Sequence, residues 1–237
     1  MKYTACCVLA LACAAAGLST PGILVYHDEH EGYGTAVLEA IGNIWPECVP
    51  EVYTGMEGQD GFNSALSAGD WDIVLLECWY AGTDGIDWYQ VRSEYDQGDI
   101  SFFVYNWHWY DSSAGQLQLY NAMGVADVVP STYMLPINIW EPDHPLVLGI
   151  SDWSQHDMEP YILIRTTPLL VDDAFPVAGW SEFEEGICVA NDGRSVISGY
   201  CPAYSVGGVA IWENILNFLW DPGPLDQSTW GGIKSAF

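Results

Sequence analysis

His27-Asp28-Glu29-His30 are four consecutive residues able to bind a metal or move a proton, and they follow the short apolar run Ile23-Leu-Val-Tyr26. Two further polar and aromatic clusters also follow apolar runs: Glu77 with Trp79-Tyr80, and Trp107-His108-Trp109-Tyr110-Asp111. Three chemistries are open to such a set. A divalent cation could be held by His27 or His30, His108, and Asp28, Glu29 or Asp111, since imidazole with carboxylate suits zinc, manganese or iron. No helix-borne pair of histidines supports that reading. Two carboxylates among Glu29, Glu77 and Asp111 could act as general acid and base of a hydrolase, at a separation the sequence does not give. Third, aromatic rings beside acids grip sugars, because ring faces stack while hydroxyls bond to carboxylates. Trp79, Tyr80, Trp88, Tyr89, Trp107, Trp109 and Tyr110 supply the rings, and the chain holds 12 tryptophans in 237 residues. The plainer alternatives are that the acids cap helices and the rings fill the core.

The runs that carry these residues read as strands followed by helices. Ile23–His27 is a strand, the glycines at 32 and 34 make a turn, and Thr35–Ile44 has helical periodicity. Glu51–Thr54 is a short strand, followed by an acidic glycine-rich loop and a helix from Gly61 to Ala68. Asp72–Cys78 and Ile100–Asn106 are unbroken apolar runs, the pattern of strands buried on both faces. Asp87–Gln97 and Ser113–Met123 are helices stopped by Gly98 and Gly124, the second capped by Ser113. Strand–helix alternation of this kind predicts an α/β fold with a mostly parallel sheet and helices on both faces. In such folds ligands meet the loops after the strands.

From Ala126 to Phe183 the alternation breaks into short strands and turns, read as a small antiparallel β addition in the second half. His144 there belongs to a structural His-Pro turn. Gly186–Ala190 and Arg194–Tyr200 form a hairpin around Asn191-Asp-Gly-Arg194, and Val209, Trp212, Ile215, Leu216 and Leu219 mark a final helix. Asp221-Pro-Gly-Pro224 ends it, and residues 221–237 form a linker and tail that could dock on a partner, fold back, or fray.

Composition bounds the rest. Residues 1–19 read as a secretory signal peptide: Met1-Lys2, an apolar run from Ala5 to Ala16, and the small-residue site Ala14-Ala-Ala16. Lipid attachment at Cys13 is the less favoured alternative, and no later stretch is long and apolar enough to predict a membrane span. The expected location is outside the cytoplasm: secreted, periplasmic or at the cell surface. With 32 acidic and 5 basic residues the formal net charge is −27, a field that repels nucleic acid and anionic membrane. Four cysteines follow residue 19: Cys48, Cys78, Cys188 and Cys201. In the predicted hairpin Cys188 faces about Ile197, which leaves Cys201 some 13 Å away, beyond disulfide reach. Mostly buried free thiols are expected.

Five motifs in order carry a resemblance: Trp71-Asp-Ile-Val-Leu-Leu76, Leu119-Tyr-Asn-Ala-Met-Gly124, His144-Pro-Leu-Val-Leu-Gly149, Gly193-Arg-Ser-Val-Ile-Ser-Gly199 and Trp212-Glu-Asn-Ile-Leu-Asn-Phe-Leu219. Over residues 22–220 the chain resembles the class I glutamine amidotransferase-like superfamily, and within it the trehalose-utilisation (ThuA-like) proteins. The resemblance implies a flavodoxin-like sheet of order 2-1-3-4-5, with the ends of strands one, three and four side by side. It also implies a catalytic cysteine on a Gly-x-Cys-x-Gly elbow after the fourth strand and a His-x-Glu after the last. Here those places read Tyr105-Asn-Trp-His-Trp109 and Cys201-Pro-Ala-Tyr-Ser205, so amidotransferase activity is not expected. The ThuA-like branch places a histidine after the fourth strand, which is His108 in this chain. The expectation is an exported protein that binds a saccharide or other small molecule through His27, Asp28, Glu29, His30, Glu77, Trp79, Tyr80, Trp107, His108, Trp109 and Asp111. A divalent cation on His27, His30, His108 and Asp111 is the cofactor such a site would take.

Overall fold

The computed structural model describes residues 20–27, 35–78, 83–106, 113–131, 137–151, 153, 165–170, 174–181, 184–190 and 193–221. In chain order these form β1 (Ile23–His27), α1 (Ala36–Ile44), β2 (Glu51–Thr54), α2 (Gly55–Ala68), β3 (Ile73–Cys78), α3 (Trp88–Gln97), β4 (Ser101–Asn106) and α4 (Ala114–Ala122). Then come β5 (Val125–Ser131), β6 (Asn138–Ile139), β7 (Arg165–Leu170), β8 (Phe175–Ser181), β9 (Glu184–Ala190), β10 (Ser195–Ser198) and α5 (Gly208–Trp220). One sheet runs β2-β1-β3-β4-β10-β9-β8-β6, and β5 pairs with β7 in a separate antiparallel ribbon. The strands from β2 to β10 in that order are parallel, and β9, β8 and β6 continue the sheet antiparallel.

Every residue of β1 and β3 is buried, as their unbroken apolar sequences require of strands covered on both sides. Alternate residues serve different cores. Ile23, Val25, Ile73, Leu75, Phe103 and Val196 pack with α1 and α5, the latter through Ile211, Trp212, Ile215 and Leu219. Leu24, Tyr26, Val74, Leu76, Phe102 and Val104 pack on the other side with Phe62 of α2, Val91 of α3 and Leu119 of α4. The chain is therefore a layered α/β fold, with no described helix long and apolar enough to cross a membrane.

Local chemistry sets the helix ends. Asp87 caps α3 by accepting the Gln90 N–H, and Gly98 closes it in the left-handed region. Ser113 and Gln116 form a reciprocal capping box at the start of α4. The first turns of α2 differ from the loop expected over 55–60. Gly58 and Gly61 are helical, and they lie where the helix rides against Tyr53 of β2. A Cβ at Gly61 would come within 2.4 Å of the Tyr53 ring. Glycine disfavours a helix by about 1 kcal/mol relative to alanine, and here close packing outweighs that preference.

The fifth position of the parallel sheet also differs from the 2-1-3-4-5 order. It is filled by β10 rather than by the next strand in sequence. Val125–Ser131 carries Pro130 and a register shift between Val125 and Asp127, and proline removes a ladder donor. Ser195–Ser198 is wholly buried, with Val196 and Ile197 feeding opposite cores. Strand β8 has no counterpart among the elements expected from sequence. Its Pro176 and Gly179 fall at shifts in its register with β9. The predicted hairpin register is present, with Cys188 opposite Ile197, and Cys48, Cys78, Cys188 and Cys201 are free thiols.

His144 stands at the start of the 3-10 turn Pro145–Val147, where its Nδ1 accepts the Leu146 N–H at 3.2 Å. That bond places the ring proton on Nε2. The ring packs against Phe175 and Phe218, and burial lowers its pKa from 6.5 to about 4. Between those values the unfolded chain takes up a proton that the native state lacks. Stability tied to His144 is thus complete above about pH 6.5 and is lost as pH falls toward 4. Urea unfolding of His144→Phe should show a shallower loss across this window than the parent; equal slopes would contradict the assignment. At Gly124, φ is +86° and a Cβ would meet the Ala174 Cβ at 2.7 Å. Gly124→Ala should lower stability by at least about 1–2 kcal/mol, the cost of a left-handed alanine alone, read from the urea midpoint.

Candidate functional site

At the C-terminal edge of the sheet the strands bring one row of residues into register: Thr54, His27, Glu77, Tyr105 and Ser198. His27 and Glu77 are neighbours across the β1–β3 pair and continue the alternation of Val25 and Leu75, so they share the face covered by α1 and α5. Both are buried, at 4% and 3% exposure. Ionisable groups taken out of water are costly unless polar partners replace it. Part of that replacement is visible for Glu77, whose Oε1 accepts the Ala203 N–H and the Cys201 thiol, each at 3.2 Å.

These bonds fasten the connection from β10 to α5. Cys201 precedes the 3-10 turn Pro202–Tyr204, and Ser205 after it accepts the Trp153 indole N–H at 2.8 Å and donates to the Cys201 carbonyl at 3.3 Å. Ser198 donates to the Tyr200 carbonyl at 2.7 Å and accepts the Tyr200 N–H at 3.1 Å. The connection is thus held from both sides by buried polar groups. Burial, then the Glu77 carboxylate, push the Cys201 thiol well above its ordinary pKa. Cys188 is raised in the same way by burial and Glu185. A thiol in either setting is a proton donor, not a nucleophile.

Among the residues singled out from sequence, His27 and Glu77 are brought together. Asp28, Glu29, His30, Trp79, Tyr80, Trp107, His108, Trp109 and Asp111 lie outside the described residues; in the chain they directly follow β1, β3 and β4. Three of the four expected metal ligands are in that group, and among the described residues no three His, Cys, Asp or Glu side chains are grouped to hold a metal. Trp88 is a core residue, with its indole N–H on the Thr83 carbonyl and its ring edge-on to Tyr120, whereas Tyr89 is 59% exposed. Sequence reasoning missed Ser198 and Cys201. The signal was present in Ser198-Gly-Tyr-Cys201 after the closing strand, but its use required knowing that β10 lies parallel beside β4.

No protein-family model and no curated protein matches the chain. Among solved structures, a protein provisionally assigned as a GMP synthase component from Thermoplasma acidophilum is similar to it over 91% of this chain and 98% of the other, with a TM-score of 0.55 and 10% identity. At that identity the likeness concerns fold. The fold is α/β, a mostly parallel mixed sheet consistent with a flavodoxin-like arrangement.

Glu77→Ala removes the acceptor of two buried donors and should cost about 1–3 kcal/mol, while Glu77→Gln, which keeps an acceptor, should cost less. Residue-resolved maleimide labelling should leave Cys188 and Cys201 unmodified in the native protein and modify Cys201 faster in Glu77→Ala. Labelling of Cys201 in the parent at the rate of an open thiol would refute the arrangement.

Proposed function

We propose that this chain is an exported ligand-binding protein built on a glutamine amidotransferase-like fold, and that its ligand is a carbohydrate met at the C-terminal ends of β1, β3 and β4. The observation that carries this reading is the buried pair His27 and Glu77, in register on adjacent strands at the edge where such sheets receive ligands. Directly after β1, β3 and β4 the chain supplies Asp28-Glu29-His30, Trp79-Tyr80 and Trp107-His108-Trp109-Tyr110-Asp111. Acids and imidazoles from these segments would bond to hydroxyls, and the indoles would stack on sugar rings. The start of the chain, with its apolar run and Ala14-Ala-Ala16, supports export.

The ThuA-like branch fits better than an active amidotransferase. No cysteine stands between Cys78 and Cys188, so none can follow β4 as a nucleophile. Cys78 belongs to the core on the α2, α3 and α4 side, and Cys201 is buried against a carboxylate. Binding without acyl transfer is the function these residues support.

Titration of the protein with a panel of neutral oligosaccharides, read by tryptophan fluorescence, tests the proposal. A saturable change is expected with at least one glycan, weakened about tenfold or more, roughly 1.4 kcal/mol, in both His27→Ala and Glu77→Gln. A flat response across the panel would sink it.

A further inference from the structure

The first and last helices end together at the N-terminal edge of the sheet. α1 runs from the edge where β1 stops to the start of β2, and α5 descends the same way after β10. Trp45, which follows α1, and Trp220, which closes α5, meet edge-on with ring centroids 6.2 Å apart. Ile44, Cys48 and both indoles pack on the core beneath and are only half-buried. Val49, beside them in the chain, is 90% exposed, the most open of the large apolar side chains described. The turn that carries them is tied down. The Cys48 N–H donates to the Trp45 carbonyl at 2.8 Å, and the Cys48 thiol to the Pro21 carbonyl at 3.4 Å. The result is a fixed apolar patch, with Glu47 and Glu51 exposed on either side of Val49 in the chain.

Size and charge decide what covers such a patch. A second copy of the chain is disfavoured, since each copy carries a net charge of −27. A free protein partner needs roughly 800 Å² on each side, far more than one turn and one indole present. A tethered segment needs less area, because a short linker holds it at an effective concentration of order millimolar. Residues 222–237 are such a segment: they continue directly from Trp220 and Asp221 and lie outside the described residues. Beyond Pro222-Gly-Pro224 they carry Trp230, Ile233 and Phe237, with Lys234 as the one basic residue after Arg194. Their apolar side chains match the patch, and their one cation matches the acids that flank it. The stretch from Asp221 to Trp230 spans about 30 Å when extended, so reach is no obstacle.

We propose that residues 228–237 fold back and dock on the patch formed by Trp45, Val49 and Trp220, with Trp230, Ile233 and Phe237 against it and Lys234 toward Glu47 and Glu51. The apolar contact supplies the attraction, and the exposed ion pair adds orientation more than strength. The tail then seals the foot of the layer made by α1 and α5. This contact lies at the opposite end of the strands from His27 and Glu77 and does not depend on the reading given to them.

Cys48 reports on the cover, because a docked tail shields its half-buried thiol from maleimide. In the full chain Cys48 should label about threefold to tenfold more slowly than in a chain truncated after Asp221. The double variant Trp230→Ser/Phe237→Ser should label like the truncated chain, and Lys234→Glu should fall between the two. The buried Cys188 and Cys201 serve as internal controls, since they stay unmodified while the domain is folded. Equal labelling of Cys48 in the full and truncated chains would overturn the proposal. So would protection that survives the double variant, that rises with protein concentration as a second copy requires, or that vanishes when residues 1–19 are removed and the tail is kept.

Discussion

The Glu77 carboxylate sits in the middle one of the five parallel strands of a sheet covered on both faces, and a group of that kind must be met by donors wherever the chain can bring them. The structure brings two from far along the sequence, the Ala203 N–H and the Cys201 thiol. Meeting them fixes the turn Pro202–Tyr204, and that turn sets where α5 starts. α5 in turn covers the face on which His27, Glu77 and Tyr105 lie. One buried acid thus links the polar end of the central strands to the helix that closes their core. Burial first, and the same acid second, raise the neighbouring thiol, so Cys201 stays chemically quiet.

The two faces of the sheet carry different chemistry. Under α1 and α5 the polar groups are interior, and the bonds visible for Glu77 and Ser198 go to the protein's own backbone and thiol. On the side of α2, α3 and α4 the buried Gln59 and Gln116 donate to the Tyr26 and Thr83 hydroxyls. Alternation along a strand makes this separation unavoidable. Glu77 shares its face with Leu75, while Cys78 and Leu76 belong to the other.

Much of the first half was legible in sequence because its signals are local. Continuous apolar runs named β1, β3 and β4, and Ser113, Asp87 and Gly98 marked helix ends by chemistry confined to one turn. Cys188 was correctly set opposite Ile197 because a tight hairpin fixes register over a few residues. What escaped depended on distant partners. Gly55 to Asp60 look like a loop until Tyr53 is known to lie beneath Gly58. β8 carries Pro176 and Gly179 and pairs with β9 in an irregular register, so no clean alternation marks it. For the site, His27 and Glu77 were recognisable as polar ends of apolar strands. Cys201 and Ser198 were not, because only the long-range pairing of β10 with β4 carries them to the same edge.

That pairing also bears on how the chain reaches its native state. β4 is complete at Asn106, yet its outer neighbour, Ser195–Ser198, emerges from synthesis only after β5 to β9. Until then β4 presents an unsatisfied ladder of N–H and C=O groups on an apolar strand, and a late, non-local contact must close it. Such closure is slow, because loop entropy is lost before the contact forms. The half-made sheet therefore stays open while the chain between β4 and β10 is made, sticky at one edge and unable to lock.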